Sequence, residues 1–146
     1  MKTTILIILT GFVLLTGFKK IDKTKIIAEI DTSFLGTWER EFKVMTKLHT
    51  ANYQIYQDSI KYQLTGLIGK ANYLIKRDTF LLKTNRFIGH TKENQYYLIL
   101  FKNITENSIS IYKQKINSVS EGLTILIPND TTTQNHGWNL FYKKRL

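Results

Sequence analysis

Gly36-Thr37-Trp38-Glu39-Arg40-Glu41-Phe42-Lys43-Val44 is the stretch that decides the fold. Trp38, Arg40, Phe42 and Val44 fall on one side of an extended chain, and Glu39, Glu41 and Lys43 fall on the other. That period of two describes a strand with one mainly apolar face and one charged face. The same alternation continues downstream. Tyr53 and Ile55 alternate with Gln54 and Tyr56, and Gln57-Asp58-Ser59 predicts a turn. Ile60, Tyr62 and Leu64 then alternate with Lys61, Gln63 and Thr65, and Gly66 and Gly69 frame a break. Ala71, Tyr73 and Ile75 begin another strand, and Lys76-Arg77-Asp78 predicts a turn into a strand over residues 79–87. After Gly89 comes the polar run Thr91-Lys92-Glu93-Asn94-Gln95.

Residues 96–101 are apolar at both parities, which predicts a strand covered on both faces. Ile109 and Ile111 alternate with Ser110 and Tyr112 in a strand over 108–116. Ser120-Glu121-Gly122 predicts a turn and 123–127 a strand, which Pro128 ends because proline donates nothing to a ladder. Residues 129–137 read as a polar loop, and 138–144 as the last strand. No amphipathic helix of ten residues stands between these runs. Parallel pairing needs crossovers of about a dozen residues or more, and these gaps are too short, so a βαβ enzyme fold is disfavoured. The expectation is an all-β protein, an antiparallel up-and-down meander of eight or nine strands. It closes, or nearly closes, into a barrel and so removes its edges. A two-sheet sandwich is the alternative.

Gly36-Thr37-Trp38, opening the first strand, resembles the Gly-x-Trp motif of the lipocalin family and its bacterial relatives. The resemblance spans residues 34–145 in layout. It implies a barrel closed at one end by the tryptophan, with a basic side chain from near the last strand packed over it. Here the candidates are Lys143, Lys144 and Arg145, with Arg145 preferred. It also implies a small apolar ligand inside the barrel.

The amino end has a different character. Lys2 precedes a run of apolar or small residues to Phe18, and Lys19-Lys20 follow. This is the profile of an export signal, and it falls short of the roughly 20 residues that span a bilayer. Leu14-Leu15-Thr16-Gly17-Phe18 resembles the end of a bacterial lipoprotein signal, with Phe18 where the lipidated cysteine would stand. We therefore divide the chain into an export signal over 1–18, a tether over 19–34 and a barrel domain over 35–146. The mature chain is expected to have no transmembrane span and to reside in the periplasm, cell envelope or extracellular space.

The 146 residues suffice for one domain. With no cysteine, disulfides, thiol nucleophiles and thiolate metal sites are excluded. Basic residues number 21 against 11 acidic, for a net charge of +10. Of these only Lys2 lies within 1–18, so the charge belongs to the domain. An anionic envelope surface or an envelope protein is the partner this balance suggests. Lys76, Arg77, Lys83 and Arg86 form the closest basic group to aromatic residues, but nucleic acid is disfavoured because no binding motif accompanies them.

His49, His90 and His136 are isolated, without the short spacing of a metal site. No Gly-x-Ser-x-Gly elbow is present. No metal, cofactor or catalytic residue is expected. A small hydrolase using His90 or His136 as base is the least favoured reading. The aromatic residues are the richest feature, since rings can wall a cavity and tyrosine hydroxyls can orient a ligand. Trp38, Phe42, Tyr62, Tyr73, Phe87, Tyr112 and Tyr142 are the expected ligand-binding residues. The leading reading is an exported non-enzymatic module binding a small apolar or amphipathic molecule. The rival is a structural or protein-interaction domain with a filled core, holding an envelope or toxin-like partner.

Overall fold

Eight strands form one closed antiparallel barrel in sequence order. They are β1 (Gly36–Val44), β2 (Lys47–Ile55), β3 (Ser59–Thr65), β4 (Ala71–Leu81), β5 (Arg86–His90), β6 (Tyr96–Lys102), β7 (Ser108–Ile116) and β8 (Asn139–Lys143). The computed structural model describes residues 30–66, 70–129 and 137–145. The export signal, residues 19–29 of the tether and His136 lie outside the described residues. Closure is made by β1 against β8, where Trp38 faces Lys143 and Glu39 faces Tyr142.

The inward positions follow the period of two. Trp38, Tyr53, Ile55, Ile60, Ile75, Phe87, Ile99, Phe101, Ile109 and Phe141 belong to one buried interior cluster. The interior around Trp38 is filled by buried side chains, and a more open surface pocket lined by Phe34, Leu82, Asn85, Ile104 and Lys143 lies outside it. A 3₁₀ turn over Thr32–Phe34 puts Phe34 beside Phe80 and Phe101, with ring centroids 6.1 and 5.1 Å away. Ile30 is buried too, and its backbone is bonded on both sides by Gln57, at 3.0 and 2.8 Å. Residues 30–34, read from sequence as the end of the tether, thus pack into the barrel core.

Three local expectations are corrected. Lys76-Arg77-Asp78 does not turn the chain. β4 runs through it, the register shifts between Arg77 and Thr79, and the reversal comes at Leu82–Thr84 with Asn85 left-handed at φ 45°. Arg77 and Asp78 are polar because a bulge places them at the surface. Residues 123–127 are not a strand. Ser118 caps a short helix α1 (Val119–Thr124) by accepting from the Glu121 amide, and the Glu121 carboxylate binds the Asn117 amide in return. This is a variant of the capping box, on the sequence Ser118-x-x-Glu121, with the carboxylate reaching the residue before the cap. The third correction lengthens β2 upstream, to Lys47. The β1–β2 hairpin turns on Met45 and Thr46, both at positive φ (48° and 73°), without the Asn-Gly that usually marks such a turn.

Helix α1 covers the outside of β5–β7. Ile88, Leu98, Leu100, Tyr112 and Ile116 form a second buried cluster there, with Val119, Ile125 and Trp138 against it. This explains why residues 96–101 are apolar at both parities. Arg86 is 5% exposed beneath the helix and donates to the Gly122 and Ile125 carbonyls, the second at 2.7 Å. It satisfies the carbonyls that a helix end leaves over. Arg86 is therefore absent from any basic surface shared with Lys76, Arg77 and Lys83.

Candidate functional site

At the end opposite Trp38 the barrel opens into a cavity of about 700 Å³. Its wall includes Arg40, Phe42, Ala51, Tyr53, Tyr62, Ile111, Lys113, Asn139 and Phe141, with Val44, Met45 and Gly137 toward the mouth. A volume of that size suits a small organic ligand, for which pockets of about 300–1,000 Å³ are usual.

Phe141, Tyr53 and Tyr62 of the cavity wall belong to an aromatic belt that runs across five strands and continues to Tyr73 and Tyr97. Phe141 meets Tyr53 edge-on at 5.1 Å, Tyr53 meets Tyr62 at 4.9 Å, Tyr62 meets Tyr73 at 5.3 Å, and Tyr73 stacks on Tyr97 at 5.3 Å. Register builds it, because Tyr53 faces Tyr62 across β2–β3 and Tyr62 faces Tyr73 across β3–β4. Residues directly opposite in a ladder point to the same face, so one tyrosine per strand yields a continuous row. Burial raises the pKa of Tyr53, Tyr62 and Tyr73 above the usual phenol range, and neighbouring tyrosines add to this for Tyr53 and Tyr73. Tyr53, Tyr62 and Tyr73 are therefore neutral.

Lys113 is the unexpected member. It follows Ile109 and Ile111 at inward positions of β7. Its Nζ sits 3.4 Å from the Tyr62 ring centroid and donates to Tyr73 Oη at 2.9 Å. Tyr73 and Tyr97 also present their rings to it, at 5.5 and 5.9 Å. Burial pushes its pKa down to about 8. Arg40 is the second interior cation. It donates to Asn139 Oδ1, and its guanidinium carbon lies 5.3 Å from the Phe42 centroid. Lys43 lines the cavity as well, and no carboxylate does among the described residues.

Five of the seven sequence-predicted residues face the interior. Trp38 and Phe87 are fully buried in the filled half, while Phe42, Tyr62 and Tyr73 pack against the same cluster from the open half. Tyr112 and Tyr142 do not join them. Tyr112 belongs to the outer cluster under α1 and contacts Trp138 at 5.9 Å. Tyr142 is 60% exposed. Both sit one position out of phase with inward neighbours, Ile111 and Phe141. The cation over Trp38 is Lys143, with Nζ 5.4 Å from the ring, and not Arg145. Lys143 is directly opposite Trp38 in the ladder, whereas Arg145 lies beyond the end of β8. Sequence reading missed Arg40 and Lys113 as site residues. The parity that put Ile109 and Ile111 inside also puts Lys113 there.

The histidines are separate from one another. His49 is buried and stacked on Phe42 at 5.4 Å, and its Nε2 has no hydrogen-bond partner. Its ring fills the space a Cβ at Gly66 would need, only 1.9 Å from Nδ1. His90 Nδ1 lies 2.8 Å from Asp78 Oδ2, beside Tyr96. Among the described residues no group of three or more His, Cys, Asp or Glu could hold a metal. Nor is any helix there long and apolar enough to cross a membrane.

These features define a small closed antiparallel barrel with one plugged end and one cavity-bearing end, consistent with a lipocalin-like architecture. No protein-family model, curated protein or solved structure matches the chain.

Proposed function

We propose that the chain is an exported, non-enzymatic binding module that takes a small apolar or amphipathic molecule of the bacterial envelope into the open half of its barrel. The observation that carries this reading is the aromatic-walled cavity of about 700 Å³. A barrel of eight strands can fill itself with its own side chains, and the half around Trp38 does so. Export is supported by the Lys2-plus-apolar-run profile of residues 1–18. The strained Met45-Thr46 hairpin at the mouth fits the same reading, since left-handed non-glycine residues cluster where a site needs shape more than stability. A second reading, a surface for a protein partner, is favoured by the apolar residues after α1. Leu126 is 87% exposed there, with Leu123 and Ile127 beside it.

Native mass spectrometry of the protein purified from its own host separates the two. The cavity reading expects a mature mass lacking the first 18 or so residues. It also expects a co-purifying small molecule that is lost when Tyr62 is changed to Trp to fill the cavity. A full-length cytoplasmic protein would overturn the export part. A ligand-free protein with a stoichiometric protein partner would replace the cavity reading by the second.

A further inference from the structure

We propose that the ligand is an amphipathic organic acid whose anionic group is paired inside the barrel by Lys113, with Arg40 as the second cation. This rests on the cavity reading above and narrows it to a chemical class. A lysine taken out of water is costly unless its charge is answered. The belt answers it only in part. Tyr62 offers a ring face at 3.4 Å and Tyr73 a neutral hydroxyl at 2.9 Å, and Tyr73 is the ammonium's one hydrogen-bond partner among the described residues. Arg40 is likewise matched only to neutral groups, the Asn139 amide and the Phe42 ring. No carboxylate lines the cavity among the described residues, although Glu39 and Glu41 lie on the other face of β1. The sequence thus places Glu39 and Glu41 outside this wall, while Arg40, Lys43 and Lys113 line it.

An apolar ligand gains nothing from that arrangement, and a cationic one is repelled. A molecule with one anion and an apolar body uses everything present. The anion completes the ammonium and guanidinium, and the body packs on Tyr53, Tyr62, Ile111 and Phe141. Charge-assisted hydrogen bonds of this kind are the strong ones, and a low-dielectric cavity strengthens them further.

The test uses three probes with one twelve-carbon chain: dodecanoate, 1-dodecanol and dodecylammonium, each titrated calorimetrically below its aggregation concentration at pH 7. Dodecanoate is expected to bind at least about tenfold tighter than dodecanol, with dodecylammonium weakest, as one charge-assisted bond would give. Lys113→Met should bring acid and alcohol to near-equal affinity. Lys113→Arg should keep the preference, and so should Lys47→Met on the exposed end of β2. Arg40→Met should weaken the preference in part, which keeps a variant available if Lys113→Met does not fold. Equal binding of acid and alcohol to the unmodified protein would overturn the acid proposal and leave the cavity reading standing. Acid binding that Lys47→Met abolishes and Lys113→Met spares would overturn it as surface adsorption. Failure of all three probes to bind would overturn both.

Discussion

Trp38→Ala tests whether the plugged end holds the barrel together. The side chain is 0% exposed, and its indole Nε1 donates to the Phe34 carbonyl at 2.9 Å. Three losses combine on truncation. Removing a buried tryptophan costs about 3–5 kcal/mol through lost burial and the space left behind. The Phe34 carbonyl then lacks its donor inside the core, which adds about 1 kcal/mol or more. The Lys143 ammonium over the ring adds about 0.5–1 kcal/mol, the low end for such contacts because Lys143 is exposed. The expected total is about 4.5–7 kcal/mol, against a stability of about 5–15 kcal/mol for a domain of ordinary kind.

Urea unfolding followed by tyrosine and tryptophan fluorescence measures it. Trp38→Phe is the fallback if the alanine variant does not fold. It retains a ring and loses the Nε1 donor, so about 1–3 kcal/mol is expected. A double-mutant cycle with Lys143→Ala should give a coupling of about 0.5–1 kcal/mol, and a cycle with Arg145→Ala none beyond about 0.3 kcal/mol. If Trp38→Ala costs under about 1 kcal/mol, the plug is not what stabilises the barrel. If coupling appears with Arg145 and not with Lys143, the ladder register between β1 and β8 is misassigned.

Three further outcomes follow from buried cations. The charged groups that share the cavity with Lys113 are Arg40 and Lys43 from β1, and the tyrosines around it are Tyr53, Tyr62, Tyr73 and Tyr97 from β2, β3, β4 and β6. Its folded pKa of about 8 lies below the ordinary 10.5, so between these values the unfolded chain holds the extra proton. Stability relative to Lys113→Met should therefore rise from pH 8 to pH 10, on the order of 1–3 kcal/mol, as read by urea unfolding across that window. A flat difference would place the ammonium in water. Over the same window dodecanoate should bind progressively more weakly by calorimetry, because the neutral amine no longer answers the anion. Arg86→Met should cost about 1–3 kcal/mol by leaving the Gly122 and Ile125 carbonyls without donors, and hydrogen exchange should show the α1 amides losing protection first.

The barrel was legible because its strands obey one rule, and the departures occur where a second rule competes. Alternation from Trp38 to Val44, and again from Ile60 to Leu64, identified β1 and β3 and their inward faces. Polar residues at a bulge look like a turn, and so Arg77-Asp78 was read as a reversal that comes at Leu82–Thr84 instead. The capping box at Ser118–Glu121 was visible but lost to the apolar run that follows it. Leu123, Leu126 and Ile127 look like strand residues, yet the chain around them is helix and then extended coil on the surface. Met45-Thr46 was hidden because the hairpin takes up left-handed strain in residues that do not favour it.

The site was less legible than the fold for one physical reason. Pattern reading assigns charges to the outside, and here the two residues that give the cavity its chemistry break that assignment. Arg40 alternates in phase with Trp38 and Phe42, and Lys113 in phase with Ile109 and Ile111. Parity therefore fixed their direction even while hydropathy pointed the other way. The two halves of the barrel treat cations in opposite ways, and this separates stability from binding. Lys143 lies over Trp38 from the exposed side of the plug, where its charge stays in water and costs almost nothing. Lys113 is held among Tyr62, Tyr73 and Tyr97, where burial brings its pKa down to about 8. A leucine there would extend the Ile109–Ile111 stripe and close the core without penalty. Keeping an ammonium in that place leaves the fold less stable than its strands allow, a cost that loss of the proton removes at high pH and that, in the acid proposal, a bound anion removes at neutral pH.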